Sequence, residues 1–132
     1  AGFVVVNDRY RDGIGSSIAT AALSLRHVAD AMLLLLADQV LITPQHIEAL
    51  LAAWTGSDTH IVATAFGEDS GPPVLLPRGT FGLLSELAGD RGAKALFSDS
   101  AFEFSTLRFD DAGYDIDTPG DLKHIVQRTD QA

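Results

Sequence analysis

The stretch Met32-Leu33-Leu34-Leu35-Leu36-Ala37-Asp38-Gln39 joins an apolar run to a carboxylate and an amide at its end. A run that is apolar on both faces is typical of a central strand in a parallel sheet, and we predict such a strand over residues 31–37. Strand and helix patterns alternate on either side of it. The sequence therefore predicts an α/β fold, with helices on both faces of a mostly parallel sheet.

The other elements are predicted from periodicity, capping and turn signals. Helices are predicted at residues 16–27, 80–87 and 119–127, with a further helical turn at 93–97, and strands at 2–7, 60–66 and 102–107, with a brief extended piece at 74–76. Thr43 and Pro44 open one more helix, because threonine caps a helix N-terminus and proline fits its first turn. Residues 67–73 are rich in glycine and proline and are predicted to form a loop.

The composition indicates one compact domain, spanning residues 1–132. The chain is 46% hydrophobic and 20% charged, as expected for a globular protein. Its net charge of −9 disfavours nucleic-acid binding. It contains no cysteine, which excludes disulfides, thiolate nucleophiles and cysteine-ligated zinc. No apolar stretch is long enough to cross a membrane and no signal-peptide pattern opens the chain, so we expect a cytoplasmic protein with no membrane contact.

Carboxylates at two places suggest a divalent metal. Asp38 ends the apolar run, where ligands bind in α/β sheets, and Asp115-Ile116-Asp117-Thr118-Pro119-Gly120-Asp121-Leu122 follows later. Alternation along an extended segment directs Asp115 and Asp117 the same way. Magnesium binds through one or two carboxylates plus substrate phosphates, so we predict Asp38 with Asp117 or Asp115 as its ligands, and Asp38 and Asp117 as catalytic residues. The alternative is acidic decoration of a strand end and a helix start.

Two further segments are candidates for nucleotide contacts. Gly13-Ile14-Gly15-Ser16-Ser17 precedes a predicted helix, where backbone N–H groups and the helix dipole favour an anion. Isoleucine at position 18 replaces the third glycine of the dinucleotide-binding fingerprint, so that interpretation is rejected. Arg91 and Lys94 are two of the chain's few cations. The alternatives are a serine-capped helix and surface ion pairs of little energetic value.

Taken in order, these segments resemble the molybdenum cofactor nucleotidyltransferases, most closely the cytidylyltransferase branch. The resemblance is carried by Asn7-Asp8-Arg9-Tyr10-Arg11-Asp12-Gly13-Ile14-Gly15-Ser16-Ser17-Ile18, Leu36-Ala37-Asp38-Gln39, Gly71-Pro72-Pro73-Val74-Leu75, Gly89-Asp90-Arg91-Gly92-Ala93-Lys94 and the acidic segment at 115–122. It implies a Rossmann-like nucleotidyltransferase fold, a three-layer sandwich. It also implies transfer of CMP from Mg-CTP (or another NTP) to the terminal phosphate of a molybdopterin-type acceptor, with release of pyrophosphate.

The same resemblance implies residue roles and shows departures. It implies that Asp38 binds magnesium, that residues 115–117 lie at the same site, and that Gly13, Gly15, Ser16 and Ser17 lie near the nucleotide. Gln39, which follows the metal ligand, is a further predicted nucleotide-binding residue. Val40 stands where the family usually has proline, and Pro72 replaces a more usual polar residue.

The family's N-terminal glycine-rich loop, Leu-Ala-Ala-Gly-x-Ser-x-Arg-x-Gly, has no counterpart in the sequence. We therefore expect a truncated domain that lacks the N-terminal strand–loop–helix portion, and that either forms oligomers through an exposed sheet edge or is unstable by itself. Whether such a chain is active is left open. Two alternatives to CMP transfer are a non-catalytic molybdopterin-binding or carrier protein, and a sugar-nucleotide transferase of the same fold.

Overall fold

The computed structural model describes residues 13–88 and 92–113 of the chain. The described elements are α1 (Ile14–Leu25), β1 (Ala31–Leu34), α2 (Pro44–Ala53), β2 (His60–Phe66), β3 (Asp69–Pro77), α3 (Phe81–Leu84) and β4 (Glu103–Arg108). Short 3-10 turns occupy Arg78–Thr80, Ala93–Leu96 and Asp110–Gly113. The predicted strand at 2–7, the predicted helix at 119–127 and Arg91 lie outside the described residues. Nowhere in the described ranges is a helix both long enough and apolar enough to span a membrane.

The four strands form one mixed sheet in the order β1-β3-β2-β4. Strand β3 pairs antiparallel with both β1 and β2, whereas β2 and β4 are parallel. Three strands therefore run in one direction and β3 runs against them. The prediction of a mostly parallel sheet needs this correction: a nine-residue antiparallel strand lies inside the described sheet, where the sequence predicted a loop and a brief extended piece.

The two prolines that suggested a loop are held out of the strand pairing. The β2–β3 register shifts between Val62, which pairs with Leu75, and Thr64, which pairs with Gly71. Pro72 and Pro73 lie in this irregularity, and the peptide bond between them is cis. Proline has no N–H to donate to a ladder, so the bulge accommodates both residues without breaking the strand.

The sheet is covered by helices on both faces. On one face α1 and α3 bury the larger core cluster, which includes Ile18, Ala22, Met32, Ile61 and Leu84. On the other face α2 contributes Leu50, which packs with Val62 and Leu75. Adjacent strand residues such as Ile61 and Val62 thus point to opposite faces, as the strand period of two requires. The predicted three-layer α/β arrangement is confirmed for the described part of the chain.

Local signals placed strand β2 and the start of α2 correctly and the end of β1 too late. Strand β2 covers residues 60–66 as predicted, and Thr43 caps α2 by accepting a hydrogen bond at Oγ1 from the His46 backbone N–H, 3.2 Å away. Strand β1 ends at Leu34 instead of residue 37. The reason is that the backbone N–H of Leu36 donates to the side chain of Gln39, 3.1 Å away, so the chain leaves the sheet to turn.

Candidate functional site

The site is built at one edge of the sheet. Strands β1, β2 and β4 run in the same direction and therefore end at the same edge, while the antiparallel β3 begins there. Asp38 follows β1, Gly67 follows β2, and Asp110 follows β4. Polar groups from segments that are distant in sequence are thus brought together where α/β proteins bind their ligands.

Gln39 ties three of these segments to one another. Its Oε1 accepts from the Leu36 N–H at 3.1 Å, and its Nε2 donates to the carbonyl oxygens of Pro72 and Ala112, at 2.7 and 2.9 Å. Both hydrogens of the amide are used, because the nitrogen carries two. The loop after β1, the start of β3 and the turn after β4 are therefore fixed relative to one another. Contact between Gln39 and a nucleotide stays a prediction; what the structure gives this side chain is a positioning role.

Asp38 is the member of the predicted metal-ligand set that the structure describes. It is half-buried in the turn after β1, where its carbonyl oxygen accepts from the Val40 N–H at 3.1 Å. Asp115 and Asp117 lie outside the described residues. Within residues 13–88 and 92–113 no three His, Cys, Asp or Glu side chains are grouped to hold a metal. A carboxylate such as that of Asp38 fits a hard cation such as Mg²⁺, and a contribution from Asp115 or Asp117 stays a prediction.

The predicted nucleotide loop begins α1. Gly13 has φ of +114° and stands at the N-terminal boundary of the helix, a backbone conformation that favours glycine. Ser16 is buried and its Oγ donates to the Gly13 carbonyl at 3.0 Å, while no side chain caps the first turn. Gly15 is also buried, and Ser17 is exposed. Only residues 26–30 connect α1 to β1, and both pack in the same core cluster, so α1 runs back across the sheet and its N-terminus faces the edge where β1 ends.

Lys94, predicted to contact phosphate, is engaged by a carboxylate. Its Nζ pairs with Oδ1 of Asp69 at the start of β3, and both side chains are exposed. The Lys94 hydrogen bond, with help from the Ser70 N–H, lowers the pKa of Asp69 below its usual value. The pair places one cation at the site edge, and contact of Lys94 with a phosphate stays a prediction.

A cavity that the sequence reasoning missed opens beside the ends of β2 and β4. Its volume is about 490 Å³, and it is lined by Phe66, Gly67, Arg108, Asp110, Asp111 and Gly113. The Arg108 guanidinium donates to Asp110 Oδ1 at 2.7 Å and to the Gly67 carbonyl at 3.1 Å. The hydrogen bonds from the Gly67 N–H and from Arg108 lower the pKa of Asp110. A usable signal was the Arg-Phe-Asp-Asp sequence at 108–111, directly after the predicted strand.

A buried polar chain lies beneath this edge. Thr64 Oγ1 donates to the Pro73 carbonyl at 2.7 Å, and His46 Nε2 lies 2.8 Å from the same hydroxyl. Because the hydroxyl has one hydrogen and gives it to a carbonyl, His46 must carry its proton on Nε2 and donate. The imidazole also stacks on Phe109, with ring centroids 4.6 Å apart. Burial lowers the pKa of His46, so this group supports the site edge as a neutral imidazole.

Comparison with known proteins identifies the family. Residues 2–104 match the MobA-like NTP transferase domain. The chain belongs to this family. A search of curated proteins gave no significant match.

Solved structures of mycobacterial proteins share the fold. Rv0371c from Mycobacterium tuberculosis H37Rv is 25% identical, with a TM-score of 0.68, over 86% of this chain and 59% of that one. Its homologue from Mycobacterium sp. strain JC1 is 27% identical, with a TM-score of 0.66, over 86% and 58%. A complex of Rv0371c with manganese is 25% identical, with a TM-score of 0.66, over 84% and 60%. This MobA-like chain thus spans about three fifths of the length of the structures it matches.

Proposed function

We propose that this MobA-like chain serves a magnesium-dependent nucleotidyltransferase that moves CMP from CTP to the terminal phosphate of a molybdopterin-type acceptor, releasing pyrophosphate. The family supplies the reaction class, since NTP transfer belongs to the matched domain. The nucleobase, the acceptor and the activity of the 132 residues by themselves are part of the proposal. The observation that carries it is the hydrogen-bond bridge made by Gln39.

The bridge supports a shared site for the two acidic segments. Gln39 follows Asp38 directly, and its amide holds the carbonyl of Ala112. Asp115 comes three residues after Ala112, and three residues of fully extended chain span about 11 Å at most. The backbone that leads to Asp115 and Asp117 is therefore anchored next to the turn that carries Asp38. This tether is the reason for proposing these carboxylates as ligands of one metal ion.

The proposed nucleotide binding requires a metal ion for electrostatic reasons. The chain carries a net charge of −9, and a triphosphate is also strongly anionic, so the two repel unless cations intervene. Magnesium held by Asp38 and by Asp117 or Asp115 would neutralise charge on the triphosphate and orient it. The neighbour Rv0371c forms a complex with manganese, and we propose that the present chain binds a divalent metal as well.

The chain's own groups have separate parts in this proposal. The N-terminus of α1, with Gly13 at its boundary, offers backbone N–H groups to the nucleotide phosphates. Lys94 reaches the same edge from the turn that follows residue 92, held by Asp69. Gln39 keeps the turn of Asp38 at a fixed distance from β3 and from the segment after β4. Transfer itself then depends on alignment of the acceptor oxygen with the α-phosphate.

Calorimetric titration with CTP tests the proposal. We expect binding in the presence of Mg²⁺, little binding with EDTA, and at least about a tenfold loss of affinity in Asp38→Asn, because a charged metal ligand is removed. The matched control is Asp58→Asn, which removes one exposed carboxylate near the start of β2, at the opposite edge. Equal binding by wild type and Asp38→Asn would contradict the site. Mg²⁺-dependent pyrophosphate release on addition of acceptor distinguishes a transferase from a carrier protein, which binds the acceptor without turnover.

A further inference from the structure

The contacts at the site edge close into a ring that returns to Gln39. From its Nε2, one hydrogen bond reaches the Pro72 carbonyl at 2.7 Å and another reaches the Ala112 carbonyl at 2.9 Å. These two carbonyls belong to segments that are far apart in sequence, at the start of β3 and in the 3-10 turn after β4. Beneath the edge, further contacts join the two segments, and these contacts meet at the buried side chain of His46.

The first arm of the ring runs from Pro72 to Thr64. The paired residues of β2 and β3 leave Pro72 and Pro73 in the irregularity between them, and proline has no N–H to offer a ladder. A side chain holds the Pro73 carbonyl: Thr64 Oγ1 donates to it at 2.7 Å, in a buried hydrogen bond. Two adjacent carbonyls are thus held by two side chains, one by the Thr64 hydroxyl and the other by the Gln39 amide.

The second arm of the ring runs from Ala112 through Phe109. The Ala112 N–H donates to the Phe109 carbonyl at 3.0 Å, and the Phe109 ring stacks on the His46 imidazole, with centroids 4.6 Å apart. His46 Nε2 lies 2.8 Å from Thr64 Oγ1 and donates to it, because the hydroxyl gives its one hydrogen to Pro73. The imidazole therefore contacts both arms of the ring.

Burial makes these contacts costly to break. His46 is 7% exposed and Thr64 is 0% exposed. The His46 backbone is fixed as well, since its N–H donates to the Thr43 cap of α2. If either buried side chain lost its polar group, its partner would keep an unpaired donor or acceptor away from water. The segment that carries Pro73 would then shift to find new partners, and with it the Pro72 carbonyl that holds Gln39.

We propose that His46 and Thr64 are positioning residues for the metal-binding turn, and that they act through Gln39 on Asp38. They fix the segments whose carbonyls hold the Gln39 amide, and Gln39 is the next residue after Asp38. Groups outside the ligand set of a metal commonly orient its ligands in this way. This inference rests on the proposed function, because a metal-binding turn exists only if Asp38 binds an ion. It adds two residues, from α2 and β2, that lie outside the acidic and glycine-rich motifs.

Thr64→Val is the test variant, and Thr80→Val is its matched control. Thr80 is also fully buried, and it also donates its hydroxyl to a proline carbonyl at 2.7 Å, that of Pro77. It lies in the 3-10 turn after β3, at the opposite edge of the sheet, because β3 begins at the site edge. Each variant replaces a hydroxyl by a methyl group, so both should lose stability, and only Thr64→Val should affect the site.

The side-chain amide of Gln39 reports the positioning directly, in the protein without metal. We expect Thr64→Val and His46→Leu to shift the NMR signals of its two hydrogens and to speed their exchange with water, because their acceptors move. Thr80→Val should leave both signals at their wild-type positions. His46→Gln should keep them as well, since its amide N–H can replace the Nε2–H of the imidazole.

Mn²⁺ affinity in the presence of CTP reports the consequence for the site. The electron paramagnetic resonance signal of free Mn²⁺ gives the dissociation constant. We expect Thr64→Val and His46→Leu to bind Mn²⁺ about tenfold more weakly, at the low end of what outer partners of metal ligands contribute. Thr80→Val and His46→Gln should bind it as the wild type does. A role in stability alone would weaken Mn²⁺ binding in Thr80→Val too, so urea unfolding of the same samples completes the comparison.

Three results would overturn the proposal. The first is wild-type Gln39 signals in both Thr64→Val and His46→Leu. The second is a loss of Mn²⁺ affinity in Thr80→Val as large as in Thr64→Val. The third is a changed Gln39 signal with wild-type Mn²⁺ affinity, since the turn would then move without effect on the ion.

The two readouts also separate this inference from the proposed function. If the wild-type chain binds no Mn²⁺ with CTP, the proposed function fails and the claim about the metal is overturned with it. The amide signals of Gln39 need no metal, so they still show whether His46 and Thr64 fix the turn. Wild-type Mn²⁺ binding together with unchanged amide signals in the variants would leave the proposed function standing and overturn the positioning role alone.

Discussion

The amide nitrogen Nε2 of Gln39 lies 2.9 Å from the carbonyl oxygen of Ala112, 73 residues further along the chain. The same nitrogen reaches Pro72, and the amide oxygen holds the N–H of Leu36. One side chain thus links the loop after β1, the start of β3 and the 3-10 turn after β4 at the site edge.

Replacing Gln39 by alanine should lower the free energy of unfolding by about 2–3 kcal/mol, since three hydrogen bonds are lost and partly buried carbonyls remain. Gln39→Glu should also lower the free energy of unfolding, because a carboxylate oxygen would then face the carbonyl oxygens of Pro72 and Ala112. Urea unfolding measures both. The control is Gln45→Ala, an exposed position in α2, where we expect a change within about 0.5 kcal/mol. A Gln39→Ala variant as stable as the control would show that the bridge contributes nothing.

Thr64, a residue of β2, is fully buried. Thr64→Val should cost about 2 kcal/mol, because the nearly isosteric change leaves the Nε2–H of His46 and the Pro73 carbonyl without their partner. Thr106→Val on β4 is the control, since that threonine is exposed. Thermal or urea unfolding compares the two variants. Equal stabilities would show that the buried hydrogen bonds of Thr64 do not stabilise the fold.

Gly79 stands against the backbone of another segment. A Cβ at this position would lie 2.2 Å from the carbonyl oxygen of Asp58, which also accepts the Gly79 N–H at 3.0 Å. Gly79→Ala should therefore destabilise by more than about 2 kcal/mol, because a backbone segment has to move.

Gly82→Ala is the matched change, since a Cβ there meets nothing within 4 Å and the residue lies in α3. Alanine should leave the stability unchanged or raise it by up to about 1 kcal/mol. The two variants are compared by thermal unfolding. A tolerated Gly79→Ala would mean that the close approach to Asp58 is wrong.

Acidification should destabilise the fold through His46. Burial lowers its pKa in the folded state, so below the ordinary value of about 6.5 the unfolded chain takes up the proton more readily. The stabilising contribution is complete above that pH and is lost as the pH falls towards the lowered value. Asp69 and Asp110 have lowered pKa values and remain ionised in this window.

Urea unfolding at pH 7.5 and 5.5 measures this effect. His46→Asn should have a smaller difference between the two pH values than the wild type has. His27→Asn replaces an exposed histidine and should retain the wild-type difference. If His46→Asn and the wild type lose the same stability on acidification, the buried imidazole is not the group responsible.

Local patterns predicted most of the fold that could be compared. Strand β2 and the cap of α2 follow from β-branched residues bounded by turn signals and from the Thr43-Pro44 pair. Strand β3 was missed because glycine and proline ordinarily interrupt strands, and here a bulge opposite Val62 and Thr64 accommodates them. That bulge depends on contacts between segments, which periodicity does not contain.

The site was predicted in part. The sequence places Asp38 and Gln39 after a buried strand, and the structure puts them at the edge where β2 and β4 also end. The sequence did not reveal the cavity that Arg108 lines, because predicting this cavity requires knowing that β4 pairs with β2. Nor did the sequence show that the Gln39 amide forms its hydrogen bonds with backbone groups of the protein. Asp115, Asp117 and Arg91 stay predictions, because they lie outside the described residues.

The central claim is that Asp38 and the segment at 115–117 hold one metal ion together with a nucleotide. Paramagnetic line broadening by Mn²⁺ in the presence of CTP, read at backbone amides, tests it most directly. We predict broadening at residues 36–41 and at 113–118 together, abolished in Asp38→Asn and retained in Asp58→Asn. Broadening of one segment without the other, or broadening that survives Asp38→Asn undiminished, would contradict the claim.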